Sequence, residues 1–218
     1  MIKVQIEKVV GSMKELIVGH SMNLIKNQCP QYTEEKLEEI RYGLASIYIT
    51  ISKTIIIFAI ALILGILKEL IIFTVIYNLI RATSFGLHAT KSWICLVSST
   101  MAFIGSTYIS TIVTIPILLK IILGIIGILL IFKNSPADTA KKPIVSPKRR
   151  LIYKILSTVT ATIFVILAIT IPDNFLSNSF ILALLIQCFM ISKLVYKAFG
   201  LSYDNYKNYL KQNVVREE

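Results

Sequence analysis

His88 and Cys95, seven residues apart, are the two side chains in this sequence best suited to covalent chemistry. Seven residues are two helical turns, or a turn plus a loop, so the two side chains can face one another if the backbone bends between them. A neutral imidazole beside a thiol takes its proton and leaves a thiolate, the form that attacks carbonyls. The segment reads Arg81-Ala82-Thr83-Ser84-Phe85-Gly86-Leu87-His88-Ala89-Thr90-Lys91-Ser92-Trp93-Ile94-Cys95. Arg81 and Lys91 favour the thiolate electrostatically, and they oppose a protonated histidine. The same residues have a plainer reading, Cys95 as a small apolar filler at a helix start and His88 as a polar end-piece. Spacing alone leaves both readings open.

A second polar segment reads Ser135-Pro136-Ala137-Asp138-Thr139-Ala140-Lys141-Lys142-Pro143-Ile144. Prolines on either side of an acid and a lysine pair restrict the backbone and suggest a defined shape. Asp138 is a candidate third member of a triad, orienting His88, although no sequence feature brings the two together. The other cysteines lack partners of this kind. Cys29 precedes Pro30 in a turn with only His20 near it, and Cys188 beside Gln187 reads as a helix-packing residue. Three cysteines at unrelated spacings suggest neither a disulfide framework nor a zinc cluster, so no metal or cofactor is expected. Lys53 and Lys120 fall at membrane depth, where a buried charge costs several kcal/mol unless it snorkels or pairs. Lys120 is expected to snorkel outward; Lys53 has a bundle role or none.

The elements that must carry these residues are helices in lipid. Of 218 residues, 55% are hydrophobic and 16% charged, and the mean hydropathy is +0.73. Soluble domains carry charge on roughly a quarter of their residues. The long Ile, Leu and Val runs do not alternate with polar residues, which fits an outer-membrane barrel poorly. The all-α, polytopic reading has about six transmembrane helices in a region spanning 44–200. They cover residues 44–67, 70–79 (reaching Ser84 if tilted, or re-entrant), 93–114, 116–132, 151–171 and 180–196. Lys68-Glu69 form the first break, and the loop 133–150 is the long polar stretch between spans.

Residues 1–43 form a separate amphipathic region, with Ile2, Ile6, Val9, Met13 and Leu16 at helical spacing and charges between them. Its charged start lacks the apolar core of a cleavable signal peptide. Pro30 interrupts it, and Thr33-Glu34-Glu35-Lys36 reads as a capping-box variant opening a second short helix. The tail 201–218 is polar. With both termini cytoplasmic, every one of the 23 basic residues except Lys53, Lys68 and Lys120 falls inside. Topology and anionic lipid therefore account for the net charge of +11 without nucleic acid.

Taken together, the two polar segments resemble the accessory gene regulator B (AgrB) family, membrane peptidases of Gram-positive quorum sensing. Arg81, Gly86, His88-Ala89 and Cys95 match its first motif in order and spacing. Pro136-Ala137-Asp138 and Lys142-Pro143-Ile144 match its second. Many members carry a glycine pair before the histidine, and here Phe85 stands at the first position. The resemblance implies a multi-pass cell-membrane cysteine endopeptidase, and a homodimer. It implies that Cys95 is the nucleophile and His88 its base, acting on an AgrD-like precursor peptide whose C-terminal tail is removed. The peptide is held as a thioester on Cys95 and then closed to a thiolactone or lactone. Arg81 is assigned the tail or the oxyanion, and Lys141 and Lys142 the acidic residues of the precursor. Two other classes remain as alternatives, a small transporter using Lys53 and a scaffold or sensor using the basic loop.

Overall fold

The computed structural model describes residues 2–87, 92–139, 143–207 and 209–210, with side chains from Glu15 onward apart from those of 92–95. The described regular structure is entirely helical: α1 (Ile2–Gln28), α2 (Glu34–Ile63), α3 (Leu67–Ser84), α4 (Ser92–Ile112), α5 (Ile117–Asn134), α6 (Pro147–Thr170), α7 (Asn174–Met190) and α8 (Lys193–Ala198). The chain forms two compact units, residues 1–60 and 61–218.

In the first unit, α1 closes where Cys29 N donates to Ile25 O, one residue before Pro30. Thr33 then caps α2, its Oγ1 accepting from Lys36 N at 3.3 Å, as the capping pattern anticipates. Val18 and Met22 of α1 bury against Leu37 of α2. The expected short second helix and first span are one continuous helix of 30 residues, about 45 Å long. No proline lies between Glu34 and Ile63 to divide it, and one glycine, Gly43, is too weak a breaker to do so.

The break after α2 falls at residues 64–66 instead of Lys68-Glu69. Gly65 takes φ +70°. Ile66 N reaches back to Ala61 O and Gly65 N to Leu62 O, the paired bonds of a Schellman stop. Lys68 and Glu69 consequently join the first turn of α3, where an acid suits the helix dipole. That makes α3 a helix of 18 residues, burying Leu70, Phe73, Ile76, Tyr77, Ile80 and Ser84 along one stripe.

α7 packs against α3, α4, α5 and α6 in the second unit. It begins at Asn174, earlier than the apolar run suggests, because Asp173 caps it: its Oδ1 accepts from Leu176 N at 2.7 Å. Ser177, Asn178 and Ser179 are buried side chains on that helix, not turn residues. α5 lies so close to its neighbours that a Cβ at Gly124 would stand 2.7 Å from Val165, and one at Gly127 2.7 Å from Leu184. Cys188 fits here as a packing residue, its thiol donating to Gly127 O at 3.5 Å. Lys120 departs from expectation. It is buried, and its Nζ donates to Ser177 Oγ, so it does not snorkel outward.

Among the described residues three helices, α2, α5 and α6, are long and apolar enough to cross a membrane, and residues Leu96–Ile112 of α4 and the whole of α7 are shorter apolar helices. The second unit has an apolar core, and its outer surface is apolar as well. Ile122, Ile125, Ile126, Leu129, Val159, Ile163 and Ile166 face outward, while several serines, Asn178, Asn205 and Gln187 are buried. This is a helical membrane protein.

Candidate active site

The chain leaves α3 through a strained bend. Phe85 N closes the last turn on Arg81 O, and Ser84 Oγ donates to Ile80 O at 2.6 Å. Phe85 then adopts φ 59° and Gly86 φ +126°. A positive φ costs a non-glycine residue on the order of 1–3 kcal/mol, and persists only where its surroundings enforce it. Here Gln187 Nε2 of α7 donates to Phe85 O at 2.6 Å, and the Phe85 ring meets Tyr153 of α6 edge-on at 4.8 Å. Phe85 is the position at which the first motif departs from a glycine pair, and its backbone takes the conformation that glycine reaches without strain.

The bend is also stitched to the second motif. Ala137 N donates to Ser84 O and Gly86 N donates to Ala137 O, both at 3.1 Å, so that Phe85 and Ala137 form a parallel bridge. Two segments some fifty residues apart are thereby laid side by side. Arg81 reaches forward from α3, donating through Nη1 to Tyr77 Oη at 3.0 Å and through Nη2 to Leu87 O at 3.2 Å. It grips the carbonyl of the residue just before His88. A Cβ at Gly86 would make ordinary contacts, 3.4 Å from Met190 O and 3.7 Å from Arg81 Nη1, so the glycine is needed for its φ and not for space.

Asp138, next after the bridge, is a buried structural hub. Its Oδ1 accepts from Asn205 N at 3.1 Å. Its Oδ2 accepts from Tyr206 N at 3.0 Å, Ile144 N at 3.3 Å and Arg150 Nη1 at 3.4 Å. Its carbonyl accepts from Tyr196 Oη at 3.1 Å and Asn205 Nδ2 at 3.3 Å. The Arg150 guanidinium in turn lies over the Tyr206 ring at 3.5 Å. Tyr203 Oη donates to Asn134 O at 3.3 Å, and Ser135 Oγ pairs with Ser157 Oγ at 2.7 Å. Burial pushes the Tyr203 phenol up to about 12, with Asp204 adding to the shift and Arg150 opposing it. The segment from Tyr196 to Tyr206 is thus a strap holding the α5–α6 loop from outside.

Of the residues singled out in the sequence, Arg81, Gly86 and Asp138 lie together around this bridge. His88, Lys91, Lys141 and Lys142 lie outside the described residues. Cys95 sits on the first turn of α4, with its side chain outside them as well. Sequence reasoning missed Gln187, Arg150, Tyr196, Tyr203 and Asn205. One signal was available, since Tyr203, Tyr206 and Tyr209 recur at helical spacing in a tail otherwise read as merely polar.

A family model for Accessory gene regulator B matches residues 20–191, which covers α2 to α7 and both motifs. The chain belongs to this family. A putative AgrB-like protein of Clostridium acetobutylicum is 30% identical over 171 residues, 78% of this chain and 82% of that protein. One from Listeria monocytogenes serotype 4b is 32% identical over 178 residues, 81% of this chain and 86% of its own length. Accessory gene regulator protein B of Staphylococcus intermedius is 28% identical over 154 residues, 70% of this chain and 80% of its own. No solved structure matches. The AgrB match ends at Ile191, so Tyr196, Tyr203 and Asn205 of the strap lie beyond it.

Proposed function

We propose that this AgrB-family protein is a membrane cysteine endopeptidase that trims an AgrD-like precursor at its C-terminal side and closes the remaining peptide into a ring. The observation that carries the reading is the Phe85–Ala137 bridge, which joins the segment leading to His88 with the Pro136-Ala137-Asp138 segment. His88 takes the Cys95 proton, and the thiolate adds to the scissile carbonyl. The C–N bond breaks, His88 returns the proton to the departing amine, and the peptide remains as a thioester on Cys95. A thiol or hydroxyl within the peptide then attacks that thioester, its proton passing to His88 and on to the Cys95 thiolate. Exchange of one thioester for another is near-neutral, so closure competes with hydrolysis when the nucleophile is held close and water is excluded.

The remaining assignments complete the proposal. Arg81 donates to Tyr77 and Leu87, which supports a role in shaping the approach to His88; its remaining donors would serve the tail or the oxyanion. Lys141 and Lys142 meet acidic residues of the precursor. Six spans, α2 to α7, place both termini and the polar loop in the cytoplasm, with the basic residues concentrated on that face. The transporter and scaffold readings need Cys95 no more than any packing residue.

The test is co-expression with the short peptide encoded beside the gene and mass spectrometry of the products, wild type against Cys95→Ala. A cleaved product lighter by one water than the linear fragment, made only by the wild type, is expected. A trimmed but linear product would remove the ring-closing step, and equal processing by both proteins would remove the peptidase. Charge reversal at Lys141 and Lys142 is expected to weaken processing at limiting precursor.

A further inference from the structure

Two charged side chains are buried among the described residues, Asp138 and Lys120. Asp138 is answered by the Arg150 guanidinium. Lys120 has no such answer. Its Nζ donates to Ser177 Oγ, a neutral oxygen whose own hydrogen goes to Ala168 O. None of the ion pairs among the described residues includes it. Asp173, the nearest carboxylate along the chain from Ser177, is exposed and caps α7 through Leu176 N instead. A buried ammonium is costly unless a charge of opposite sign stands beside it.

The backbone does not supply that charge. Lys120 is in the first turn of α5 and Ser177 in the first turn of α7, while α4 and α6 finish at the same end of the bundle. Helix dipoles of opposite sense offset one another there and leave the unit charge of the ammonium standing. The same end is polar in its side chains. Asn178, next to Ser177, donates through Nδ2 to Ser110 O at 3.3 Å and to Val113 O. Its Oδ1 and the hydroxyls of Thr107 and Ser110 are buried without a hydrogen-bond partner. Other hydroxyls of α4 turn back onto its own carbonyls, Thr100 to Leu96 O and Thr111 to Tyr108 O. Thr107 and Ser110 forgo that bond, which leaves them able to hold the water that a small ion brings with it.

We propose that this end of the bundle is an anion site. The Lys120 ammonium, fixed by Ser177, holds a small monovalent anion, chloride or a short carboxylate, and Thr107, Ser110 and Asn178 receive its water. An ammonium has three N–H donors, and among the described residues Ser177 takes one of them. The ligand is small because the lysine is buried where α5, α6 and α7 meet. Once bound, it ties α5 to α7 and, through Ser177, to α6. The site lies about 20 Å along α5 from the end that leads to the Phe85–Ala137 bridge, so it stands independently of the peptidase reading.

The test is thermal unfolding of full-length protein in an uncharged detergent, at fixed pH and ionic strength. Sodium gluconate, whose anion is bulky, is replaced stepwise by sodium chloride or by sodium acetate. The melting temperature of the wild type is expected to rise and level off, by about 3–6 °C at ten times the dissociation constant. A rise in chloride alone assigns an inorganic anion, and a rise in acetate assigns a carboxylate. Lys120→Met should melt above the wild type in gluconate and respond to neither anion, so the gap narrows as the anion is added. Ser177→Asp, which sets a carboxylate beside the ammonium, should lose the response for the opposite reason. If either variant fails to fold, the other carries the comparison. A wild type that responds to neither anion overturns the proposal, because Lys120 then holds its place without a counter-ion. A response retained in full by either variant overturns it too, since the anion then binds elsewhere.

Discussion

Replacing Asp138 with asparagine removes one acceptor oxygen at nearly constant shape, and the consequence can be worked out from the bonds that converge there. Asn205 N at 3.1 Å can remain on the retained oxygen. The new amide NH2 group then faces three donors, Tyr206 N at 3.0 Å, Ile144 N at 3.3 Å and Arg150 Nη1 at 3.4 Å. Each buried donor left without an acceptor costs about 1–3 kcal/mol. Two of the three bonds are long, so the lower end applies to them, and about 3 kcal/mol is lost from the anchoring of the strap. At roughly 1.4 kcal/mol per decade, opening of the strap becomes on the order of 100-fold more frequent. Hydrogen exchange read by mass spectrometry over residues 199–207 should accelerate accordingly, with peptides from α5 and α6 unchanged. Precursor processing should fall in parallel. Loss of processing with unchanged exchange at Asn205 and Tyr206 would refute the reasoning, and would return Asp138 to a direct chemical role.

Three further outcomes follow from the geometry. Gly86→Ala puts a side chain on a backbone held at φ +126°, a cost of about 1–3 kcal/mol at the bend, and should depress processing. Gly105→Ala on α4 meets no atom within 4 Å, and serves as the tolerated control at equal membrane expression. For Tyr203 the fold favours the neutral phenol, since its pKa is pushed up to about 12 against about 10 in an unfolded chain. Its contribution is therefore complete below about pH 10 and lost as pH rises towards about 12, so strap exchange should rise over that window, and Tyr203→Phe should reduce the step, with Tyr196 of the same strap, whose phenol burial also raises, supplying the remainder. Lys120→Met removes a buried ammonium, leaving Ser177 with its bond to Ala168 O. Because burying that charge costs several kcal/mol, the melting temperature should rise; a fall of several degrees would show that the ammonium is needed.

The sequence made legible whatever depends on neighbouring residues. Charge scarcity and apolar runs identify a helical membrane protein, Thr33 marks the start of α2, and the prolines around Asp138 announce a shaped loop. Element boundaries were harder where two signals competed. Lys68-Glu69 looks like a break by polarity, yet the stop is made by Gly65 and its paired hydrogen bonds. Asn174 to Ser179 look like a turn by composition, yet Asp173 caps a helix there, and Ser177, Asn178 and Ser179 are buried on it. The least legible features join distant residues. Gln187 reads as an odd polar residue in an apolar helix until Phe85 O, 102 residues away in sequence, is seen as its partner. Tyr196 and Asn205 give no sign of contacting Asp138, because no periodicity spans such a separation. Lys120 was misjudged for the same reason, since Ser177 lies 57 residues further along.

The strap also sets a schedule for biogenesis. The Asp138 carboxylate leaves the ribosome 67 residues before Asn205 and 68 before Tyr206. At roughly 5–20 residues per second that is a wait of about 3–13 s. During it, α6 and α7 are made before the donors that tie down the α5–α6 loop exist. A nascent chain stalled in this interval holds an untied loop, and it also lacks Gln187 until α7 emerges. Anchoring of the Asp138 loop is thus a late event: a chain cut short before Asn205 holds both polar segments and lacks the backbone donors that fix the carboxylate between them.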